Sequence, residues 1–275
     1  MSKPKISIIM STYNDANFIR LSIESVLNQT FTDWEFIIID DASTDNTAKI
    51  INKYLKKDTR IRYLRNKKNN GYKGFIANLN RGINLSRSEL IARLDSDDFW
   101  SDNAKLEKQY EFMKKNKSYG LVGTWASAIY ENGNEFCTIA RPVTSVDIKN
   151  RMLIENAFIH STVLFRKKLA KKFGYYDPNH VYVEDYGLWL RLGKITCLYN
   201  IPKEMISYRV RDESLIQSKY KKHINAAENL ILKYRHSYPN YAKARVVWFI
   251  RRYYPYWFRA YTANKLKEKI LNYKT

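Results

Sequence analysis

The sequence predicts an α/β fold, with a mostly parallel central sheet flanked by helices and a helical C-terminal extension. Three observations carry this. Apolar runs of strand length alternate with amphipathic helical stretches through residues 1–100, the connections between them are short, and from Ile216 onward the apolar spacing is helical. Strands separated by helices imply right-handed βαβ units and therefore parallel pairing.

The elements follow in order. Ile6–Met10 is a buried-strand run, and Ala16–Leu27 places Phe18, Ile19, Ile23, Val26 and Leu27 on one helical face. Trp34–Ile39 is a second strand, and Ser43-Thr44-Asp45-Asn46 offers caps for a helix through Ile50, Ile51, Tyr54 and Leu55. Ile61–Leu64 is a third strand, Asn69-Asn70-Gly71 a turn, Gly74–Leu85 a helix and Leu90–Leu94 a fourth strand. After Trp100 the pattern turns mixed. Ala104–Asn116 is helical, while Gly120–Tyr130 and Glu135–Ala140 flank Glu131-Asn132-Gly133-Asn134, an Asn-Gly hairpin signal. Val163–Phe165, Thr196–Ile201 and Met205–Tyr208 are three further short strands, and Pro239 and Pro255 interrupt the final helices. The expected organisation is an α/β domain over 1–214, in two halves (1–100 and 101–214), with a basic aromatic helical extension over 215–275.

Composition narrows the function classes. The 275 residues, 45% hydrophobic and 15% aromatic, suit a globular chain with a proper core. The longest apolar runs are too short to span a bilayer, and Met1–Lys5 lacks a signal-peptide apolar region, so a cytoplasmic protein is expected. Cys137 and Cys197 stand in no paired or metal-ligand motif and read as buried free thiols. The net charge of +21 invites nucleic acid, but residues 211–275 alone hold 15 Lys and Arg against 4 Asp and Glu. The excess is thus concentrated in the tail.

Chemistry concentrates where strands end. Ser11-Thr12-Tyr13-Asn14 follows the first strand, Asp40-Asp41-Ala42-Ser43-Thr44-Asp45 the second and Asp95-Ser96-Asp97-Asp98 the fourth. Ligands of open parallel sheets bind outside these carboxyl ends. No G-x-G-x-x-G or G-x-x-x-x-G-K-[ST] cradle is present, so a diphosphate would be neutralised otherwise. A D-x-D at a strand end does this through a divalent cation that bridges the phosphates.

In this order and spacing the motifs resemble the inverting family 2 glycosyltransferases of the GT-A fold, of the bacterial surface-polysaccharide type. The resemblance runs from about Lys5 to about Ser214. Besides the strand-end clusters, it rests on Ser25-Val26-Leu27-Asn28-Gln29-Thr30, Asn70-Gly71, Ala77-Asn78-Leu79-Asn80-Arg81-Gly82, Glu184-Asp185-Tyr186-Gly187-Leu188-Trp189 and Tyr208-Arg209. It implies a hexosyltransferase-type reaction on a nucleoside diphosphate sugar, most often a UDP-sugar, in a catalytic domain whose nucleotide-binding half is 1–100 and whose acceptor-binding half is 101–214. Ser11 and Tyr13 would line the nucleobase pocket and Asp41 would accept from the base. Asp95 would lie near ribose and sugar, and Asp97 would coordinate Mg²⁺ or Mn²⁺, with Asp95 and Asp98 as further candidate ligands. Lys73 touches the base or a phosphate, or is simply an exposed lysine. Inverting transfer also needs a base opposite the departing nucleotide. Asp185 takes that role by family position. Independently, Val181–Asp185 is an apolar approach to an acid pair before a helix, where burial would raise a carboxyl pKa. Glu184, His160 and Trp189 are acceptor-side candidates.

The chain departs from the family where a histidine is common after the Tyr-Arg pair, since Arg211 stands in that stretch. Its guanidinium cannot ligate a metal but can hold the departing diphosphate. Ser88 replaces a common glycine, a neutral change. From Tyr234 to Tyr261 there are eleven aromatics in 28 residues, interleaved with Lys243, Arg245, Arg251, Arg252 and Arg259. This suits peripheral docking on the inner face of the cytoplasmic membrane, where a lipid-linked or glycan acceptor would be met, or else packing on the body or a homo-oligomer contact. A nucleotidyltransferase on a similar sheet is the competing enzyme, and it leaves Asp185 without a task. A basic nucleic-acid-binding protein is the competing non-enzyme, for which no recognised motif is present.

Overall fold

The computed structural model describes residues 3–211 and 213–253, with the stretch 213–219 as backbone only. The first half runs β1 (Ile6–Thr12), α1 (Ile19–Leu27), β2 (Trp34–Asp40), α2 (Thr47–Leu55), β3 (Ile61–Arg65), α3 (Gly71–Leu85) and β4 (Leu90–Arg93). The second runs α4 (Lys105–Lys115), β5 (Tyr119–Ile129), β6 (Glu135–Ile139), α5 (Ser145–Arg151), a 3-10 turn (His160–Thr162), β7 (Leu164–Arg166), α6 (Lys167–Lys171), α7 (Glu184–Gly193) and β8 (Cys197–Arg209). Helices α8 (Glu213–Lys233) and α9 (Tyr241–Tyr253) follow, parted by Pro239 as expected.

All eight strands form one sheet in the order β3-β2-β1-β4-β7-β5-β6, with β8 on β5. Strands β1 to β4 are parallel, and β1 sits between β2 and β4, in register Ile6–Trp34 and Ile6–Leu90. Strand order therefore reverses at β1, which places a binding crevice between the carboxyl ends of β1 and β4. The expected mixed second half is antiparallel at β4–β7, β5–β7 and β5–β6, and parallel at β5–β8. Strand β5 is long enough for β7 to pair near Leu121 and β6 beyond Ala126.

Successive residues alternate between two cores, as a strand buried on both faces requires. Ile6, Ile8, Met10, Phe36 and Ile38 pack with Ile19 and Ile23 of α1, whereas Ile9, Ile37 and Ile39 pack with Ile76, Leu79 and Ile83 of α3. Each full burial of such a side chain contributes about 1.5–3 kcal/mol. Close packing on the α3 side explains Gly82, where a Cβ would come within 2.6 Å of Ile9.

Two expectations are corrected. The two short strands at 196–201 and 205–208 are a single strand, β8, because the β5–β8 ladder absorbs Pro202 by shifting register around Trp125. Cys137 and Cys197 are free and half-buried rather than buried. For the described part of the extension, packing on the body, one of the alternatives the sequence left open, is what the structure shows. Ile224, Ala227, Leu230, Ile231, Tyr234, Tyr238 and Trp248 join the same core as Leu188, Trp189 and Leu190. The Tyr238 hydroxyl donates to the Leu190 carbonyl (2.6 Å) and Trp248 Nε1 to that of Leu153 (2.9 Å). Of the six described aromatics from Tyr234 onward, Tyr234, Tyr238 and Trp248 are therefore core packing. Pro255 and the aromatics from Tyr254 to Tyr261 lie outside the described residues.

Candidate active site

The loops after β1 and β2 are zipped together by short polar side chains. Asn14, in the left-handed region at φ 54°, accepts from the Thr44 N–H (2.8 Å) and donates its own N–H to Ser43 Oγ (3.0 Å). Asp40 is the structural member of the Asp40-Asp41 pair. It accepts from the Ser43 N–H (2.8 Å), Ser43 Oγ (2.6 Å) and Tyr63 Oη (2.7 Å), which stabilises the turn at Ala42, φ 64°. Asp41 faces the other way. Its oxygens accept from Asn66 Nδ2 (2.6 Å) and the Asn70 N–H (3.1 Å), beside a cavity of about 480 Å³ lined by Asn66, Asn70, Lys73, Asn78 and Arg81. Gly74 is needed there, since a Cβ would meet Asp41 Oδ2 at 3.0 Å and Asn70 Cβ at 2.7 Å. Ser11 is buried and accepts from Asn78 Nδ2 (3.2 Å), while Tyr13 is exposed at the rim.

The loop after β4 carries the acids between cations. Arg93, fully buried in an otherwise apolar strand, donates to Asp95 Oδ1 and to the Ile9 carbonyl. Desolvation would raise the Asp95 carboxyl, yet Arg93 and His160 hold it below its ordinary range. Asp97 is pushed up to about 6 by desolvation, with Arg211 lowering it and the Asp95 and Asp15 charges raising it. Asp98 is an anchor. Its oxygens accept from Ser161 Oγ (2.5 Å) and the Arg209 N–H (2.8 Å), and burial with the neighbouring acids raises its pKa. Both oxygens are thus engaged within the protein, as are those of Asp95, where Arg93 meets Oδ1 and Ser161 Oγ donates to Oδ2 (3.2 Å), while Asp97 meets Arg211 through Oδ2. Asp15 completes the cluster, taking bonds from Thr12 Oγ1 (3.2 Å), Ser96 Oγ and Arg211 Nη2.

The second acid pair opens α7. Asp185 accepts from Asn156 Nδ2 (2.8 Å) and the Tyr186 N–H (2.6 Å), so neutral donors orient it. Its neighbour Glu184 is pushed up to about 8 by desolvation and then by the Asp185 charge, with the Tyr72 hydroxyl 3.0 Å away. His160 bridges the two acid groups. Its Nε2 accepts from Arg93 Nε (3.1 Å) and contacts Tyr176 Oη (2.9 Å), its Nδ1 lies 3.8 Å from Asp95 Oδ2, and it feels the charge of Asp185. Burial, then Arg93, lowers its pKa to about 4, so it is a neutral imidazole at pH 7. Trp189 is fully buried and cannot touch an acceptor. It packs edge-on against Phe158, His160 and Phe165, holding the imidazole from behind.

Sequence reasoning missed Arg93, Asp15, Asn156 and Tyr72. Arg93 carried a signal, as a lone arginine inside Leu90–Leu94, and Asp15 was legible only as a helix cap. Asn156 and Tyr72 acquire their roles only from partners 29 and 112 residues away.

Among the described residues no group of three or more His, Cys, Asp or Glu side chains is set to hold a metal alone. The candidate donors are carboxylate oxygens only, which suits a hard cation completed by phosphate oxygens, as Mg²⁺ and Mn²⁺ prefer.

The family model for glycosyl transferase family 2 matches residues 7–174. The chain belongs to this family. The glycosyltransferase is 33% identical over 228 residues to an uncharacterized glycosyltransferase of Methanocaldococcus jannaschii, covering 81% of this chain and 76% of that one. It is 34% identical over 223 residues to the UDP-Glc:alpha-D-GlcNAc-diphosphoundecaprenol beta-1,3-glucosyltransferase WfgD of Escherichia coli, covering 78% and 81%. Its fold is like that of S. aureus TarS 1-349 in complex with UDP-GlcNAc, at a TM-score of 0.67 and 19% identity over 92% of this chain and 73% of that one. The α/β sheet is thus of the GT-A type, and glycosyl transfer is chosen over the nucleotidyltransferase and nucleic-acid alternatives.

Proposed function

We propose that this enzyme is a metal-dependent inverting glycosyltransferase that moves a sugar from a nucleoside diphosphate donor, a UDP-sugar, to a hydroxyl of a surface glycan or lipid-linked saccharide. The observation that carries it is one crevice flanked by two acid groups of opposite character. Asp95 and Asp97 lie against guanidinia, Glu184 and Asp185 lie against neutral donors, and His160 sits between them.

Asp41, with Asn66 and Asn70 orienting its carboxylate, accepts from the nucleobase beside the 480 Å³ cavity, where Lys73 also lies. Asp97, with Asp95 beside it, would hold Mg²⁺ or Mn²⁺, which supplies neutralisation of diphosphate charge. Arg211 holds the departing diphosphate. Asp185 takes the proton of the acceptor hydroxyl as its oxygen bonds to the anomeric carbon. The bond to the diphosphate oxygen breaks with its electron pair on the opposite face, inverting the configuration. Nucleotide-sugar hydrolysis across a donor panel, with and without Mn²⁺, tests the donor. Turnover independent of divalent cations, or of Asp185, overturns the assignment.

The exposed stripe of α9 supports docking at a membrane surface. Val246, Phe249 and Tyr253 are 59%, 56% and 60% exposed on one helical face, near Lys243 and Arg245. Among the described residues no helix is long and apolar enough to cross a membrane. Co-sedimentation with anionic vesicles that survives Phe249→Ser with Tyr253→Ser would remove the idea.

A further inference from the structure

Arg211 spans the acid cluster. Its Nη2 donates to Asp15 Oδ1, its Nε lies 2.7 Å from Asp97 Oδ2, and its guanidinium stacks 5.0 Å from the Phe18 ring centroid. Asp15 is fixed in turn by Thr12 and Ser96, and Arg209 fastens the same loop through the Asp97 carbonyl (3.0 Å) while covering Phe18 at 4.7 Å. One guanidinium therefore compensates two carboxylates at once, hydrogen-bonded to Asp15 and in ion contact with Asp97, toward which its Nε–H makes no aligned hydrogen bond.

The consequence concerns the order in which ions arrive. A divalent cation sits about 2.0–2.1 Å from a carboxylate oxygen. At Asp97 it would be opposed by the like charge of the guanidinium already 2.7 Å from Oδ2. We propose that Arg211 is the resident counter-ion of Asp97 in the donor-free enzyme, so that the divalent cation enters only with a nucleoside diphosphate, whose phosphates draw Arg211 off the carboxylate. This rests on the donor reading above. Removing Arg211 from Asp97 with nothing in exchange leaves two acids uncompensated, whereas a diphosphate offers the guanidinium bidentate partners. Cation and nucleotide binding are then coupled, and the coupling is reciprocal.

Electron paramagnetic resonance of free Mn²⁺, titrated with the full chain, reads this without turnover. In the unsubstituted enzyme, saturating UDP should tighten Mn²⁺ binding by about tenfold or more. Arg211→Gln should bind Mn²⁺ about tenfold more tightly without nucleotide, and UDP should then add little. Asp97→Asn placed on Arg211→Gln should remove the gained site, and Arg211→Lys should fall between, with folding checked by thermal melting. Equal nucleotide-free Mn²⁺ affinity in the unsubstituted and Arg211→Gln proteins overturns the counter-ion role while leaving the donor reading standing. Absence of Mn²⁺ binding to either protein with UDP present overturns both.

Discussion

The two acid groups of the crevice differ in what compensates them. On the donor side Asp95 and Asp97 lie against Arg93 and Arg211. On the acceptor side Glu184 and Asp185 lie against a phenol, an amide and a backbone N–H. Guanidinia lower a carboxylate's proton affinity, enough to hold Asp95 below its ordinary range, while desolvation still lifts Asp97 to about 6. Neutral donors lower it less, and at Glu184 desolvation outweighs them and lifts the pKa to about 8. In the proposed reaction the first side handles charge and the second proton transfer.

The largest expected effect strikes the proton side. Asp185→Asn should lower kcat by about 10³-fold while UDP affinity in a calorimetric titration stays within twofold. Comparable losses in both would erase the distinction. Next comes the charge side, where Arg93→Met leaves the partly buried Asp95 without its cation. Thermal or urea unfolding should show a loss of about 3–5 kcal/mol, and Arg93→Met with Asp95→Asn should recover much of it. An unchanged melting point would mean that Arg93 does not compensate Asp95.

Smaller effects sharpen the contrast. Glu184 has its folded pKa above its ordinary 4.5, so it contributes stability that is complete below pH 4.5 and lost as pH climbs through about 8. Glu184→Gln should flatten the fall in stability over that window, an effect on the order of 1–3 kcal/mol read from melting points at pH 5 and 8. A parallel pair of curves would place the titration elsewhere. Last, Asn156→Ala frees one oxygen of Asp185 and should reduce kcat by about tenfold with KM unchanged, since it loosens orientation rather than binding. A rise in KM alone would assign Asn156 to the acceptor.

Much of the donor half was legible. The alternation of Ile6–Met10, Trp34–Ile39 and Leu90–Leu94 with helical runs encodes parallel strands, and acids at their ends encode the crevice, because both signals are local. The acceptor half was less so. Strand β8 crosses Pro202 only because β5 supplies a ladder that can slip, and Trp189 looked available for an acceptor until packing placed four aromatic rings around it. The tail misled in the same way. Tyr234, Tyr238 and Trp248 share a composition with Phe249 and Tyr253, yet the first three are buried against the body and the last two face outward.

By itself the sequence determined the layered α/β architecture, the family and the acid clusters at the strand ends. Those follow from periodicity and from motifs a few residues long. Only the tertiary structure decided what each acid faces: Arg211 reaches Asp15 across 196 residues, Tyr72 reaches Glu184 across 112, and Arg93 is buried where the strand alone would place an apolar side chain. The physical reason is that a carboxylate's charge state depends on its solvation and nearest partners, and both are set by the packing of elements distant in the chain.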